Sequence, residues 1–267
     1  MEKVNHLIAI LKDMESAVLA YSGGVDSTFL LKALHLTNIR TLAVTACSEI
    51  TPHTDFMHAV QAVKEFGIDH MVVKTDELSR EDFVKNGPDR CFICKNERFR
   101  TLKDIARSKG YKFVLDGSNL DDTMDYRPGR QAAEKNNVRS PLIEAGFTKQ
   151  DIRECSRHLG LSTWDRPSSP CLASRFPYGQ RITKDLLERV EKAEDFLKSL
   201  GFNNVRVRDH GGMARIEVDP DKIELFLASQ TRKNISDHLK NLGYIFISLD
   251  LDGYKSGNLN KGLGLNI

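Results

Sequence analysis

Two short runs hold the residue types and spacings best suited to chemistry: Ser22-Gly-Gly-Val-Asp-Ser27 and Cys91-Phe-Ile-Cys94. A third thiol, Cys171, sits among prolines. The first run follows the apolar segment Ala17–Ala20 and leads into Thr28-Phe-Leu-Leu-Lys-Ala-Leu34, so a strand enters a glycine turn and then a helix. The two glycines let the backbone close tightly. The first helical amides lack internal partners and point, with the positive end of the helix dipole, at an arriving anion. Ser22, Ser27 and Thr28 add hydroxyl donors. No Lys follows the glycines, so this is not the G-x-x-x-x-G-K-[ST] loop that holds a triphosphate for transfer of its terminal phosphate.

Two thiolates three positions apart can reach one metal or cluster, and two ligands alone fit zinc and iron–sulfur equally. A redox dithiol is a third reading, but the pair does not follow the first strand of a thioredoxin-like pattern. Cys171, beside Ser174 and Arg175, shifts the balance. Three thiolates would leave one iron of a [4Fe–4S] unit open to an external sulfide, whereas zinc would want a fourth ligand, with His158 and His210 as imidazoles open to that role. Cys47 and Cys155, in apolar or helical surroundings, read as packing residues.

The 267 residues suffice for a large domain and a smaller one. Lys+Arg 39 against Asp+Glu 37 is too balanced to announce a polyanion as the main partner, so no nucleic acid is expected and any basic site must be local. No apolar run reaches membrane-span length, and the first residues lack a secretory signal. A reducing cytoplasm is the expected setting, with the five Cys as thiols or metal ligands.

These groups need elements to position them. Residues 1–165 alternate strand and helix: strands at 17–21, 41–46, 70–73 and 111–115, helices from Ser27, at 54–66, 96–109 and 148–159, the last with Thr148 as N-cap. That is an α/β pattern with a parallel sheet, whose ligands gather at the carboxyl ends of the strands, here the loops after Tyr21, Ala46 and Leu115. Residues 166–183, with three prolines, read as a linker carrying function. Residues 184–267 form a smaller α+β domain with a helix over 185–200 and alternating strands at 204–208 and 213–218. Period two puts Arg206 and Arg208 on one face, and Arg215 with Glu217 on one face; a solvated outer sheet face is the competing reading. The tail 252–260 reads as irregular chain.

The loop resembles the S-G-G-x-D-S pyrophosphate loop of the ATP pyrophosphatase (PP-loop, adenine nucleotide alpha hydrolase-like) superfamily. Further segments narrow the resemblance: Asp116-Gly-Ser-Asn119, Asp125-Tyr-Arg-Pro-Gly129, Cys171-Leu-Ala-Ser-Arg-Phe-Pro-Tyr-Gly179, Val205-Arg-Val-Arg208, Ala214-Arg-Ile-Glu217 and Leu249-Asp-Leu-Asp-Gly-Tyr-Lys-Ser-Gly257. Together they resemble the LarE family of sulfur transferases of nickel-pincer nucleotide synthesis. The resemblance implies that ATP adenylates a carboxylate of pyridinium-3,5-biscarboxylic acid mononucleotide and that sulfur displaces AMP to leave a thiocarboxylate. Some members donate sulfur from one Cys at the position of Cys171 and end with dehydroalanine. Cys91 and Cys94 liken this chain instead to three-cysteine members with a [4Fe–4S] cluster.

The resemblance further implies that Ser22, Gly23, Gly24, Ser27, Asp116 and Gly117 hold ATP and that Asp26 places Mg²⁺. It assigns the substrate phosphate to Ser174, Arg175, Arg206 and Arg208, since a planar guanidinium can bond two phosphate oxygens. Glu194 and Glu217 would sit at a second metal or hold arginines. Homo-oligomers, commonly hexamers, are the family's assembly. The competing functions are a tRNA thiolase of the same superfamily, which should show a broad basic surface, and an ammonia-using adenylating synthase, which would not need the three Cys.

Overall fold

The computed structural model describes residues 2–123, 128–255 and 258–259. Asp125, Tyr126, Arg127, Ser256 and Gly257 of the motifs above therefore lie outside the described residues. The chain divides into two compact units, residues 1–76 with 88–169 and residues 77–87 with 170–267.

The first unit opens with α1 (Glu2–Lys12), β1 (Ser16–Ala20), α2 (Val25–Thr37), β2 (Arg40–Cys47), α3 (His53–Phe66) and β3 (Asp69–Lys74). After α4 (Glu81–Val84), which belongs to the second unit, come α5 (Arg90–Lys109), β4 (Phe113–Leu115), α6 (Pro128–Lys135), α7 (Pro141–Glu144) and α8 (Lys149–His158). The strands form one parallel sheet in the order β3-β2-β1-β4. Alternation along β1 explains why it is apolar from Ala17 to Ala20. Ala17 and Leu19 join the core of Leu7, Leu11, Phe29, Leu30, Phe147 and Ile152, while Val18 joins Leu42, Val44, Phe99, Leu102 and Ala132 on the other face. β2 and β4 flank β1 on opposite sides, so the order reverses there and the loops after β1 and β4 border the crevice where such sheets bind ligands.

The helix expected from Asn96 begins six residues earlier, at Arg90, so Cys91 and Cys94 stand within the first five residues of α5 and not in a preceding loop. α8 starts where Thr148 predicts: its hydroxyl accepts the Asp151 amide, and the Asp151 carboxylate accepts the Thr148 amide at 2.9 Å, a capping box. Lys3 adds an ion pair at 2.6 Å. That contact and the Thr148 amide hold the Asp151 carboxyl down to about 2. Because the folded value lies below the unfolded one, the stabilisation is complete above the ordinary carboxylate range and fades as pH falls toward 2. Asp151→Asn should cost about 1 kcal/mol at pH 7, a cap-sized loss, and clearly less at pH 3, by urea unfolding at both values.

The second unit continues with α9 (Lys184–Ser199), β5 (Arg206–Asp209), β6 (Met213–Glu217), α10 (Ile223–Leu227), α11 (Ser229–Asn241) and β7 (Phe246–Leu249). β5 and β6 pair antiparallel, and β7 joins β6 in parallel. Val207, Ala214 and Ile216 enter a core with Ala193 and Leu197 of α9 and Ile235 and Leu239 of α11. Residues 77–87 are laced into this unit by the Val84 carbonyl, which accepts the Ile182 amide at 2.9 Å, and by Asn86, whose Nδ2 donates to the Pro177 carbonyl at 2.8 Å. Among the described residues no helix is long and apolar enough to cross a membrane.

Candidate nucleotide and thiol sites

In the first unit, the turn after β1 is shaped by Gly23, whose φ is 74° and whose missing Cβ would stand 2.7 Å from the Ala59 Cβ on α3. Gly24 is the N-cap of α2, and no side chain caps that helix. Its first amides therefore remain for an outside acceptor. Ser22 and Ser27 hydroxyls lie 3.2 Å apart, and Ser27 also donates to the Gly24 carbonyl at 3.2 Å. Gly117, after β4, completes the crevice: a Cβ there would meet the Ser27 amide nitrogen at 3.0 Å, so only glycine lets this loop approach the helix start so closely. The Asp116 carboxylate accepts from both hydroxyls, Ser118 and Ser140, at 2.7 Å each, and from the Ser118 amide at 3.2 Å. It pins the loop that presents Gly117.

Asp26, in the first turn of α2, is the charged group at this rim. Its Oδ2 accepts from Lys149 Nζ at 2.6 Å, while Oδ1 is buried with no hydrogen-bond partner. Burial raises its pKa, with Lys149 pulling the other way. Sequence reasoning missed Lys149, which is 123 positions away. It also missed Arg166, whose guanidinium donates to the Gly23 carbonyl at 3.4 Å and pairs with Asp55 at 3.2 Å and His58 at 2.8 Å. Ser169 donates to the same Asp55 carboxylate. One signal for Lys149 was legible: a cation at the first position of a helix stands at the wrong end of the dipole.

Cys91 and Cys94 lie one turn apart on one face of α5, exposed and half-buried respectively. Cys171 belongs to the second unit and is half-buried at the start of the 3₁₀ turn Leu172–Arg175. Among the described residues no group of three or more His, Cys, Asp or Glu is arranged to hold a metal ion.

In the second unit, the sheet face expected as solvated or phosphate-binding is buried. Arg206, Arg208 and Glu217 are 5%, 6% and 0% exposed. Glu217 accepts from Arg208 at 2.7 Å, Arg215 at 3.2 Å and Asn258 Nδ2 at 2.9 Å; Arg215 also meets Asp250 at 2.7 Å. Tyr254 lies against Arg206, 4.9 Å from guanidinium to ring centroid. Tyr254 and Asn258 thus bring two described positions of the tail onto this layer. Arg175 faces inward: it grips Glu194 with two bonds of 2.8 Å and donates to the Pro170 carbonyl at 2.7 Å, the Cys171 carbonyl at 3.3 Å and the Ser174 hydroxyl at 3.0 Å. Its guanidinium braces the Cys171 turn from within.

Glu194 also accepts the Val207 amide at 3.0 Å, so its carboxylate holds Arg175 and a strand. Burial alone would raise the Glu194 carboxyl, yet Arg175 beside it brings it below the ordinary range. Arg208 braces the same turn through the Ser174 carbonyl at 2.9 Å. Ion pairs thus join Arg175 to Glu194, Arg208 to Glu217, and Arg215 to both Glu217 and Asp250. Burial and the neighbouring Arg175 pull the Arg206 pKa below its ordinary value.

No protein-family model matches the chain. It is 41% identical over 98% of its length to an uncharacterized protein of Synechocystis, whose length is covered to 98%. Over 96% of its length it is 40% identical to the pyridinium-3,5-bisthiocarboxylic acid mononucleotide synthase of Lactiplantibacillus plantarum, covering 93% of that protein. A weaker similarity, 22% identity over 77% of the chain, extends to 65% of the tRNA-specific 2-thiouridylase MnmA of a Wolbachia strain from Drosophila simulans. The identity to the Lactiplantibacillus protein, sustained over nearly every residue, makes this chain an enzyme of the LarE family.

Proposed function

We propose that the enzyme adenylates a carboxylate of pyridinium-3,5-biscarboxylic acid mononucleotide with ATP and replaces AMP by sulfur to give the thiocarboxylate. The uncapped start of α2, with Gly23 and Gly117 drawn tight around it, is the observation that carries the ATP half of this reading. Ser22, Gly23, Gly24 and Ser27 hold the pyrophosphate end, and the helix amides stabilise charge on that leaving group. Asp26 offers its buried, unpartnered Oδ1 to Mg²⁺, a hard cation that takes one or two carboxylates beside phosphate oxygens and would neutralise polyphosphate charge there. The carboxylate oxygen of the substrate attacks the α-phosphorus and pyrophosphate leaves. A sulfur nucleophile then attacks the activated carbonyl and AMP departs.

The substrate phosphate belongs to Arg206 and Arg208, which share one sheet face and whose planar guanidinium groups can each bond two phosphate oxygens. Arg175 serves as the brace of the Cys171 turn, with Ser174 between them. Cys171 is the thiol we assign to sulfur transfer. The finer reading is a [4Fe–4S] cluster on Cys91, Cys94 and Cys171, which would supply the sulfur; three thiolates suit it in kind, and the exposed Cys91 with Cys94 on one helical turn suits two of its ligands. Assembly into a homo-oligomer belongs to the same proposal.

Pyrophosphate release and product mass test it together. Wild-type enzyme should release pyrophosphate only with ATP and the pyridinium nucleotide present, and Cys171→Ala should keep that release while losing the thiocarboxylate. Cys91→Ala and Cys94→Ala should match Cys171→Ala if a cluster is used. If instead both retain sulfur transfer and the wild-type chain emerges lighter by one H₂S at Cys171, the thiol itself was consumed and the cluster reading fails. Absence of substrate-dependent pyrophosphate release would overturn the adenylation step.

A further inference from the structure

We propose that Lys149 is a pyrophosphate-contacting residue, supplying from α8 the cation that the loop after β1 lacks. The inference rests on the ATP reading above and adds a residue to it. The loop Ser22–Ser27 contains no lysine, unlike the phosphate loops that carry their own. The fold brings one to the same place from another element, with Lys149 Nζ 2.6 Å from Asp26 Oδ2.

The pair is half-engaged. Asp26 Oδ1 is buried without a partner, and the ammonium has Asp26 as its one hydrogen-bond partner among the described residues, leaving two N–H groups to donate. A free acceptor oxygen beside free cationic donors suits a ligand that presents a cation and anionic oxygens side by side. Metal-chelated pyrophosphate has that form.

Electrostatics point the same way. Lys149 is the first residue of α8, where a positive charge opposes the helix dipole, and its head lies against the first turn of α2, a second positive helix end. Asp26 offsets part of this. An anion at the uncapped amides of α2 would offset the rest, and placing a cation against two helix starts is then consistent with local charge balance. The backbone amide of Lys149 is fixed by Asp121 at 2.8 Å and the helix by the Thr148 capping box, so the side chain springs from a rigid base.

Calorimetric titration of the full chain with inorganic pyrophosphate plus Mg²⁺, and separately with AMP, tests the assignment. Lys149→Met should weaken pyrophosphate binding about 10- to 100-fold, the size of one charge-assisted contact, and leave AMP binding within about 2-fold. Lys149→Arg should restore most of the loss. Unchanged pyrophosphate binding in Lys149→Met overturns the proposal, as does an equal loss for AMP and pyrophosphate that Lys149→Arg does not rescue, since that marks a structural tether. Wild-type enzyme that binds neither probe overturns the ATP reading itself, and this inference with it.

Discussion

Replacing Arg175 with Met should destabilise the second unit by about 3–5 kcal/mol, the cost of leaving one partner of a buried ion pair behind. Arg175 and Glu194 are each 2% exposed by side chain and are joined by two bonds of 2.8 Å. Without the guanidinium, Glu194 keeps only the Val207 amide among these contacts, and a buried carboxylate so placed must be protonated or let water in. The Pro170 carbonyl loses its guanidinium donor and the Cys171 carbonyl keeps only the Ser174 amide, so the turn carrying Cys171 should loosen. Arg175→Lys should recover little, because an ammonium cannot reproduce the two-pronged grip. Removing both charges, as Arg175→Met with Glu194→Met, should recover most of the stability. Urea unfolding followed by circular dichroism reads the effect, fitted with a separate transition for each unit. A single variant as stable as wild type, or a double variant no better than the single, contradicts this account.

Gly23→Ala should cut substrate-dependent pyrophosphate release by about 100-fold, the scale expected when a reacting group is displaced by an ångström or so. The added Cβ would lie 2.7 Å from the Ala59 Cβ and 2.8 Å from its Cα, on a backbone at φ 74° that L side chains rarely adopt. The second contact is with main chain, so Ala59→Gly should restore activity only in part. Gly24→Ala is the control. Its nearest contact would be Ser22 Oγ at 3.5 Å and its φ is −74°, so it should retain most activity. If both substitutions behave alike in a pyrophosphate assay, the close approach to α3 has no role in shaping the loop.

Much of the first unit was legible because its signals are local. Strand β1 running into a glycine turn and α2 follows from adjacent residues, and the Thr148 cap is a pattern within four positions. The start of α5 was missed because the paired thiols of Arg90–Lys95 drew a metal-ligand reading with no helical period of its own, although the helix needs only a buried stripe at Phe99, Leu102 and Ala106 farther along. The second sheet shows a different limit. Alternation correctly put Arg206 with Arg208 and Arg215 with Glu217, but period two says nothing about what covers a face, and here Arg175, Tyr254 and Asn258 do so from distant positions. Lys149 and Asp26 meet for the same reason, through the fold and not through spacing.

Residues 77–87 belong to the second unit, yet the ribosome makes them roughly 80 residues before the rest of it. At about 5–20 residues per second that is a wait on the order of 4–16 s. During it Phe83 and Val84, 1% and 3% exposed in the finished fold, have no final shelter. Through that interval the nascent chain carries this apolar pair without the rest of its unit. For the same reason a gene cut after residue 165 would yield a protein carrying this apolar insert without its unit, and a gene started at residue 166 would lack a buried segment of its own unit.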